Sequence, residues 1–276
     1  HAWEWTDKHG GIILEQLKSL EGVFAITLTM EGLGKKRLTE GETEVHIIMD
    51  PIDGTREIMY DKRSAWILTG ISFSSNPTLR DVDIAVQTEI PVSKQSDFSL
   101  LYAHRGAGAF EEIYSKHTFE LVCEKRRIQV QETKDLKDGY ICFPSPFPGT
   151  KVQVAQAYEA FFEEVFPPPN TGNALIFSDE YISSGGQLYL LATGQYRIVA
   201  DIREHVQREH VTLCCHPYDI CTALIAREAG AVIIGIDGNV LDYPFDTTTN
   251  CNWIGFSTKN LYSVYKDALF RAILSV

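Results

Sequence analysis

The chain has 276 residues, of which 44% are hydrophobic, and this is enough apolar material for one large domain or two closely packed ones. Its formal net charge of −12 disfavours nucleic acid as the main partner, and no apolar stretch approaches the roughly 20 residues that a membrane-spanning helix needs. The six cysteines lack the spacing of a disulfide framework, so we expect reduced thiols in a cytoplasmic protein. A zinc site from Cys214, Cys215, His210 and His216 is an alternative that lacks the usual CxxC pair.

The pattern of apolar residues predicts a first half that is rich in strands. An amphipathic helix is expected over residues 12–20, and a strand over 23–30 ends on Glu31. The polar segment 35–44 is predicted to be a loop. After it we expect, in chain order, a buried strand over 45–49, a short helix over 55–60, strands over 65–74 and 83–90, a hairpin turning at 106–108, and strands over 119–122 and 127–130.

The composition changes at the proline-rich segment 144–149, which suggests an N-terminal half over 1–148 and a C-terminal half over 149–276. Helices and strands alternate in the second half, as in proteins that pack helices on a sheet. Residues 201–210 are charged and are predicted to be exposed. The other predicted elements are helices over 152–165, 184–192 with Ser183 or Ser184 as N-cap, 219–230 and 259–274, and strands over 173–177, 196–200, 232–236 and 253–256.

The stretch Ile48-Met49-Asp50-Pro51-Ile52-Asp53-Gly54-Thr55 places two carboxylates at the end of a buried strand. Gly54 allows the backbone to approach a ligand closely, and Thr55 stands where a helix can begin, with free amides that favour an anion. The stretch therefore offers oxygen ligands for a hard cation beside a site for phosphate. The alternative is a strand followed by a capped turn, in which Asp53 is simply the N-cap residue.

Three motifs, taken in order, resemble those of the inositol monophosphatase family, the magnesium-dependent, lithium-sensitive phosphatases. Residues 50–55, D-P-I-D-G-T, are similar to the family's D-P-[IL]-D-G-T. Residues 103–110, A-H-R-G-A-G-A-F, are similar to A-x-x-G-x-G-A-F, and residues 218–230 are similar to W-D-x-x-A-G followed by E-A-G-G, with Tyr218 in place of the tryptophan. The resemblance implies an α/β (α+β) fold, namely a layered α-β-α-β-α sandwich of the inositol monophosphatase and fructose bisphosphatase type.

The resemblance also implies an activity, which is hydrolysis of a small phosphorylated metabolite by water that bound Mg²⁺ activates, with two or three ions per site. Inhibition by Li⁺ and a homodimer are further expectations of the family. The residues that the resemblance assigns are Glu31, Asp50, the carbonyl of Ile52, Asp53 and Asp219 for metal; Glu31, Asp50 and Thr55 for catalysis; and Asp53, Gly54, Thr55, Ser183, Ser184 and Asp219 for substrate.

Two glutamates compete for the metal ligand that the family places at a strand end before the first aspartate. Glu31 ends an apolar strand 19 residues before Asp50, which matches the family's spacing of roughly twenty residues. Glu42 follows a glycine, as the family's glutamate does, but it lies only 8 residues before Asp50 in a polar stretch. Spacing and context favour Glu31.

The chain also differs from the family pattern. The family has a D-x-x-T-x-x-D segment before the glutamate strand, of which Thr6-Asp7 is the closest counterpart, and Arg56-Glu57 stands where the family commonly has Thr-Asn. Segment 211–213 lacks the carboxylate that contacts inositol hydroxyls in the family. Alternative functions are therefore a sugar bisphosphatase, a phosphatase for 3′-phosphorylated nucleotides, or a metabolite-binding homologue with impaired catalysis. A Ca²⁺-binding structural module would need a ligand-dense loop, which the sequence lacks.

Segment 195–218 looks longer than the matching family segment and is rich in charge. In the family it borders the alcohol part of the substrate. Because arginine forks suit a second phosphate or carboxylate, we hypothesise that the substrate carries a second anionic group, read by Arg203 and Arg208. The competing interpretation is a solvated charged surface or a dimer contact.

Overall fold

The computed structural model describes residues 11–167, 175–206 and 214–276. Residues 11–18 form helix α1. The elements that follow are β1 (Gly22–Met30), β2 (Gly34–Arg37), β3 (Gly41–Asp53), α2 (Thr55–Met59), β4 (Ala65–Ser72), β5 (Ile84–Ile90), β6 (Asp97–His104), β7 (Gly108–Ser115), β8 (Leu121–Ile128), β9 (Gly139–Cys142), α3 (Lys151–Val165), β10 (Ile176–Ser178), α4 (Ser184–Ala192), β11 (Tyr196–Asp201), α5 (Ala223–Glu228), β12 (Val232–Ile234), β13 (Trp253–Phe256) and α6 (Lys259–Leu274), with 3₁₀ turns at Leu79–Asp81 and Pro217–Ile220.

The first sheet has eight strands in the order β2-β1-β3-β4-β5-β6-β7-β8. Its neighbours are antiparallel except for β1 and β3, which run parallel. The prediction of a loop over 35–44 was wrong, because β2 and the start of β3 occupy it. The exposed edge strand β2 carries polar side chains and so lacks the apolar alternation that marks a buried strand. The two segments predicted over 119–122 and 127–130 are the ends of one strand, β8.

The second sheet has five strands in the order β10-β9-β11-β13-β12. Strand β9 belongs to it although β9 precedes residue 148 in sequence. The chain therefore changes sheets between Ile128 and Gly139, ahead of the proline-rich segment. The division into halves at residue 148 stays a prediction.

Three apolar clusters define the layers. Ile13, Leu14 and Leu17 of α1 pack on the outer face of the first sheet, while residues of α4 and α5 fill the space between the two sheets. Helices α3 and α6 pack together on the far face of the second sheet. The order is thus helix, sheet, helix, sheet, helix, and the predicted layered α/β sandwich is confirmed. None of the described helices is long and apolar enough to cross a membrane.

Helix α4 is seated against Tyr181 at a position where only glycine fits. A Cβ atom at Gly186 would lie 2.2 Å from the Tyr181 ring, whereas one at Gly11 in α1 would meet nothing within 4 Å. Alanine normally favours a helix over glycine. We expect Gly186→Ala to lower the free energy of unfolding by about 1–3 kcal/mol through overpacking, and Gly11→Ala to leave it equal or raise it. Urea denaturation measures both, and equal stability of the two variants would contradict this packing.

Candidate active site

The parallel pairing of β1 and β3 brings Glu31 beside Asp50. Met30 pairs with Met49 in this register, and the amide of Glu31 donates to the carbonyl of Met49 at 3.2 Å. Parallel strands end at the same edge of a sheet, so the residues that follow them are neighbours in space although 19 positions separate them in sequence. Glu31 at the end of β1 therefore lies beside Asp50, although Glu42 is nearer to Asp50 in sequence.

A β-bulge turns the side chain of Asp53 to the same face of the sheet as that of Asp50. Three positions separate the two residues, and a regular strand would send them to opposite faces. In β3, however, Asp50 pairs with Leu68 and Asp53 pairs with Trp66, so three residues of β3 oppose two of β4. The extra residue restores the common face. Leu68 and Trp66 both lie in the core between the sheets, and the two carboxylates point towards that layer.

Asp219 enters the site from the 3₁₀ turn Pro217–Ile220. Its Oδ2 accepts a hydrogen bond of 2.6 Å from the amide of His216, which fixes the turn. The turn lies close against β4, because a Cβ atom at Gly70 would be only 2.9 Å from the carbonyl oxygen of Cys221. Glycine at position 70 therefore allows the approach that carries Asp219 to the two aspartates of β3.

The side chains of Asp50, Asp53 and Asp219 converge, with one oxygen of each within 4.8 Å of the others. Asp50 and Asp53 are buried. Burial, reinforced by the charges of Asp53, Glu31 and Asp219, raises the pKa of Asp50 well above its usual range. Burial and the charge of Asp219 raise the pKa of Asp53 from 3.8 to about 7, and the same two causes raise the pKa of Glu31. The cluster is short of positive charge.

Helix α4 holds Asp53 from the opposite side. Its Oδ2 accepts hydrogen bonds from the Ser183 hydroxyl at 2.7 Å and from the Gly185 amide at 2.6 Å. Ser183 is the N-cap of α4, as predicted, and accepts from the Gly186 amide. The alternative that Asp53 caps the helix after β3 is wrong, because Gly54 is the N-cap residue of α2 and no side chain caps it. Asp53 instead stabilises a helix from a different layer.

Buried Gln87 of β5 connects α4 to the segment that follows Asp219. Its side-chain nitrogen donates to the Gly185 carbonyl at 2.8 Å, and its side-chain oxygen accepts from the Thr222 hydroxyl at 2.8 Å. Both groups are buried, so each hydrogen bond is costly to lose. The sequence reasoning missed this pair, and a polar glutamine at a buried strand position was the signal that could have revealed it.

A cavity of about 410 Å³ opens above the carboxylates. Glu31, Asp53, Gly54, Thr55, Ser183, Ser184 and Asp219, all predicted from the sequence, contribute to its wall. Asp50 lies beneath the wall and is buried. The remaining lining residues, which the sequence reasoning did not assign to the site, are Arg56, Met59, Pro144, Phe147, Ile182, Gln187, Arg203, Cys214 and Tyr218.

The structure gives different environments to the other residues that the sequence analysis named. The Thr55 hydroxyl donates to the Ile52 carbonyl at 2.8 Å, so two of the assigned atoms are already joined. Glu42 is exposed at the far end of β3 from Asp50, and Thr6-Asp7 lies outside the described residues. The catalytic, metal and substrate roles of the assigned residues remain predictions.

The prediction that segment 201–210 is exposed was wrong for its first part. Asp201 and Arg203 are buried, and the guanidinium donates to both carboxylate oxygens, at 2.8 and 2.6 Å. The two opposite charges neutralise each other, which lowers the free-energy cost of burying them. The rest of the segment, 207–210, lies outside the described residues.

The donor set suits a hard divalent cation. Carboxylate oxygens are the ligands that Mg²⁺ and Ca²⁺ prefer, and a cation would supply the charge that the raised pKa values show to be lacking. Among the described residues, the acidic cluster is the group of three or more side chains arranged to hold a metal. The alternative zinc site therefore finds no support there, and none of the six cysteines, all of which are described, forms a disulfide. His210 lies outside the described residues.

The sequence matches the model of the inositol monophosphatase family over residues 9–265. The chain belongs to this family, which is a family of phosphatases. No curated protein is similar enough to the chain to be matched.

Solved structures share the fold. One is a hypothetical protein from Pyrococcus horikoshii with similarity to inositol-1 monophosphatase, at 20% identity and a TM-score of 0.63 over 95% of this chain and 81% of that one. An extragenic suppressor from Pyrococcus furiosus has 19% identity and a TM-score of 0.60 over 92% and 82%. A third protein, described as an inositol monophosphatase-fructose 1,6-bisphosphatase, has 20% identity and a TM-score of 0.62 over 94% and 81%.

The carboxylate cluster predicts how stability depends on pH when metal is removed. The folded protein keeps a proton on Asp53 up to about pH 7, while the ordinary pKa is 3.8. The protonated Asp53 therefore contributes its full share to the stability of the folded protein below about pH 4, and this contribution is lost as the pH rises through 7. We expect the chelated protein to melt at a lower temperature at pH 8 than at pH 6.

Scanning calorimetry in the presence of a chelator measures this difference. The control is Asp219→Asn, which removes the charge that helps burial to raise the pKa of Asp53 and should make the decrease between pH 6 and pH 8 smaller. A chelated wild-type protein that melts at the same or a higher temperature at pH 8 would contradict the raised pKa of Asp53.

Proposed function

We propose that the protein is a Mg²⁺-dependent phosphomonoesterase that hydrolyses a small phosphorylated metabolite. The observation that carries the proposal is the convergence of Asp50, Asp53 and Asp219 below an open cavity, with Glu31 on its wall. Family membership supports phosphatase chemistry. The metal and the substrate are inferred from the donor atoms.

The residues that would hold Mg²⁺ are Asp50, Asp53 and Asp219, with Glu31 and the carbonyl of Ile52 beside them. Bound Mg²⁺ would lower the pKa of a coordinated water to give a nucleophile, and would stabilise charge on the phosphate and the leaving oxygen. Such chemistry requires no nucleophilic side chain, since phosphoryl transfer depends mainly on positioning and charge neutralisation.

The protein's own groups orient this arrangement. Ser183 and Gly185 donate to Oδ2 of Asp53 and so leave its other oxygen for a cation. The amide of Ile52 holds Oδ1 of Asp50 at 2.8 Å. The Thr55 hydroxyl donates a hydrogen bond to the Ile52 carbonyl, and the same hydroxyl oxygen can accept a hydrogen bond from water. Gly54 keeps the wall beside Asp53 open, because a Cβ atom there would lie 3.0 Å from that of Ser183.

Inhibition by Li⁺, a homodimer and a cytoplasmic location are further parts of the proposal. Six cysteines, none of them in a disulfide, support a reducing compartment. A sugar bisphosphate is the second candidate substrate, and the arginine at position 56 is the observation that favours it, as developed below.

The test is release of phosphate from a panel of phosphomonoesters in Mg²⁺, with matched glutamate variants. We expect activity that a chelator abolishes, and loss of activity in Asp50→Asn and Asp219→Asn. Glu31→Gln should lower kcat on the order of 100-fold, as expected when one electrostatic contribution to the transition state is lost. Glu42→Gln makes the same chemical change at the exposed end of β3 and should stay close to wild type.

Two results would count against this account. A wild-type protein that releases no phosphate from any ester would favour a metabolite-binding homologue with impaired catalysis. A loss of activity in Glu42→Gln but not in Glu31→Gln would show that the strand-end glutamate has been assigned the wrong role.

A further inference from the structure

Two arginines, Arg56 and Arg203, line the cavity among the described residues. Arg203 is buried, and its guanidinium makes two hydrogen bonds to the buried carboxylate of Asp201. An anion at Arg203 would therefore compete with a charge partner that is already in place. Arg203, one of the two arginines of the sequence hypothesis, thus already has a buried carboxylate as its partner.

Arg56 has a different environment. Its guanidinium carbon lies 4.7 Å from the centroid of the Phe147 ring. Among the described residues, no carboxylate lies within ion-pair distance of Arg56 and no acceptor takes a hydrogen bond from it. Contact with a ring face holds the cation in place and occupies none of its N–H donors with an acceptor. Arg56 therefore lines the cavity with N–H donors that no described acceptor occupies.

The position of Arg56 connects it to the reacting end of the substrate. It follows directly after Gly54 and Thr55, which line the cavity beside Asp53. The other charged groups of the described wall, apart from Arg203, are the acidic Glu31, Asp53 and Asp219. Bound Mg²⁺ would offset these carboxylates, and Arg56 is the cationic side chain of the described wall, besides the paired Arg203, that can attract a further anion.

We propose that Arg56, held on Phe147, binds a second anionic group of the substrate, either a phosphate or a carboxylate. The inference rests on the proposed phosphomonoesterase function and specifies its substrate class. It assigns to Arg56 the role that the sequence hypothesis gave to Arg203 and Arg208, of which Arg208 lies outside the described residues. Arg56 is exposed, so its long side chain can follow the anion to the position that the substrate requires.

Pairs of substrates that differ in one anionic group test the proposal. Fructose 1,6-bisphosphate is compared with fructose 1-phosphate for a second phosphate, and 2-phosphoglycerate with glycerol 2-phosphate for a carboxylate. The measured quantity is the ratio of kcat/KM within each pair. We expect a wild-type preference for the doubly anionic member of at least one pair, and a fall of this ratio by about tenfold or more in Arg56→Gln, because a charge-assisted bidentate contact is lost.

Three further variants separate this role from a structural one. Arg56→Lys keeps the charge without the fork and should retain part of the ratio. Phe147→Leu removes the ring beneath the cation and should lower the ratio by less than Arg56→Gln does. Arg271→Gln removes the same charge from an exposed site on α6, outside the cavity wall, and should leave the ratio at its wild-type value.

Two outcomes would overturn the inference. The first is absence of a wild-type preference for either doubly anionic ester. The second is a ratio that Arg56→Gln leaves unaltered in a folded protein, which would show that Arg56 only fastens α2 to Phe147. If wild type hydrolyses no ester, the proposed function fails instead. The inference is then tested by calorimetric dissociation constants of the same pairs in Mg²⁺, and an Arg56→Gln protein with wild-type values would overturn it.

Discussion

Repulsion within a cluster of carboxylates is the constraint on which the rest of the site depends. One oxygen each of Asp50, Asp53 and Asp219 falls within 4.8 Å of the others, and the burial of Asp50 and Asp53 makes their charges more costly than they would be in water. The packing of the core must offset the electrostatic free energy of bringing these charges together. The contacts around the cluster hold the carboxylates in place.

Each carboxylate is placed by a different structural device. The parallel pair β1 and β3 sets Glu31 beside Asp50, the bulge in β3 turns Asp53 to the same face, and a glycine in β4 admits the turn that carries Asp219. The hydrogen bonds that Asp53 accepts from α4 partly stabilise its charged form. These contacts orient one edge of the cluster and leave the other edge facing the cavity, where a cation can complete the charge balance.

Local patterns predicted parts of this arrangement, whereas the convergence of Asp219 with the aspartates of β3 was implied only by the resemblance to the family. Residue types at adjacent positions were enough to predict three features. These are the buried strand that ends at Asp50, the turn with glycine and threonine after Asp53, and the start of a helix at Ser183. The bulge and the Gln87 contact could not be predicted, since both depend on which strand lies opposite. The polar edge strand β2 was mistaken for a loop because it is exposed. The charge of Arg203 also led to a wrong prediction, namely that its segment is exposed. Arg203 is buried because it pairs with Asp201, two residues earlier in the chain.

The carboxylates and the exposed arginine of the cavity wall come from different elements. The carboxylates belong to the strand ends and to the Pro217–Ile220 turn, whereas Arg56 and Phe147 lie on α2 and on the proline-rich segment before α3. Under the proposed function, changes in the second group would alter the choice of substrate and leave the carboxylates in place. The motif at residues 50–55 is intact, whereas position 56 differs from the residue common in the family.

The most direct measurement of the central claim is the position of a bound metal. Crystals grown with Mn²⁺, which takes the same hard oxygen ligands as Mg²⁺, would show the ion by its anomalous scattering. The account predicts a peak in contact with carboxylate oxygens of Asp50, Asp53 and Asp219. Full-occupancy Mn²⁺ bound elsewhere on the protein, with no peak between these three side chains, would contradict it.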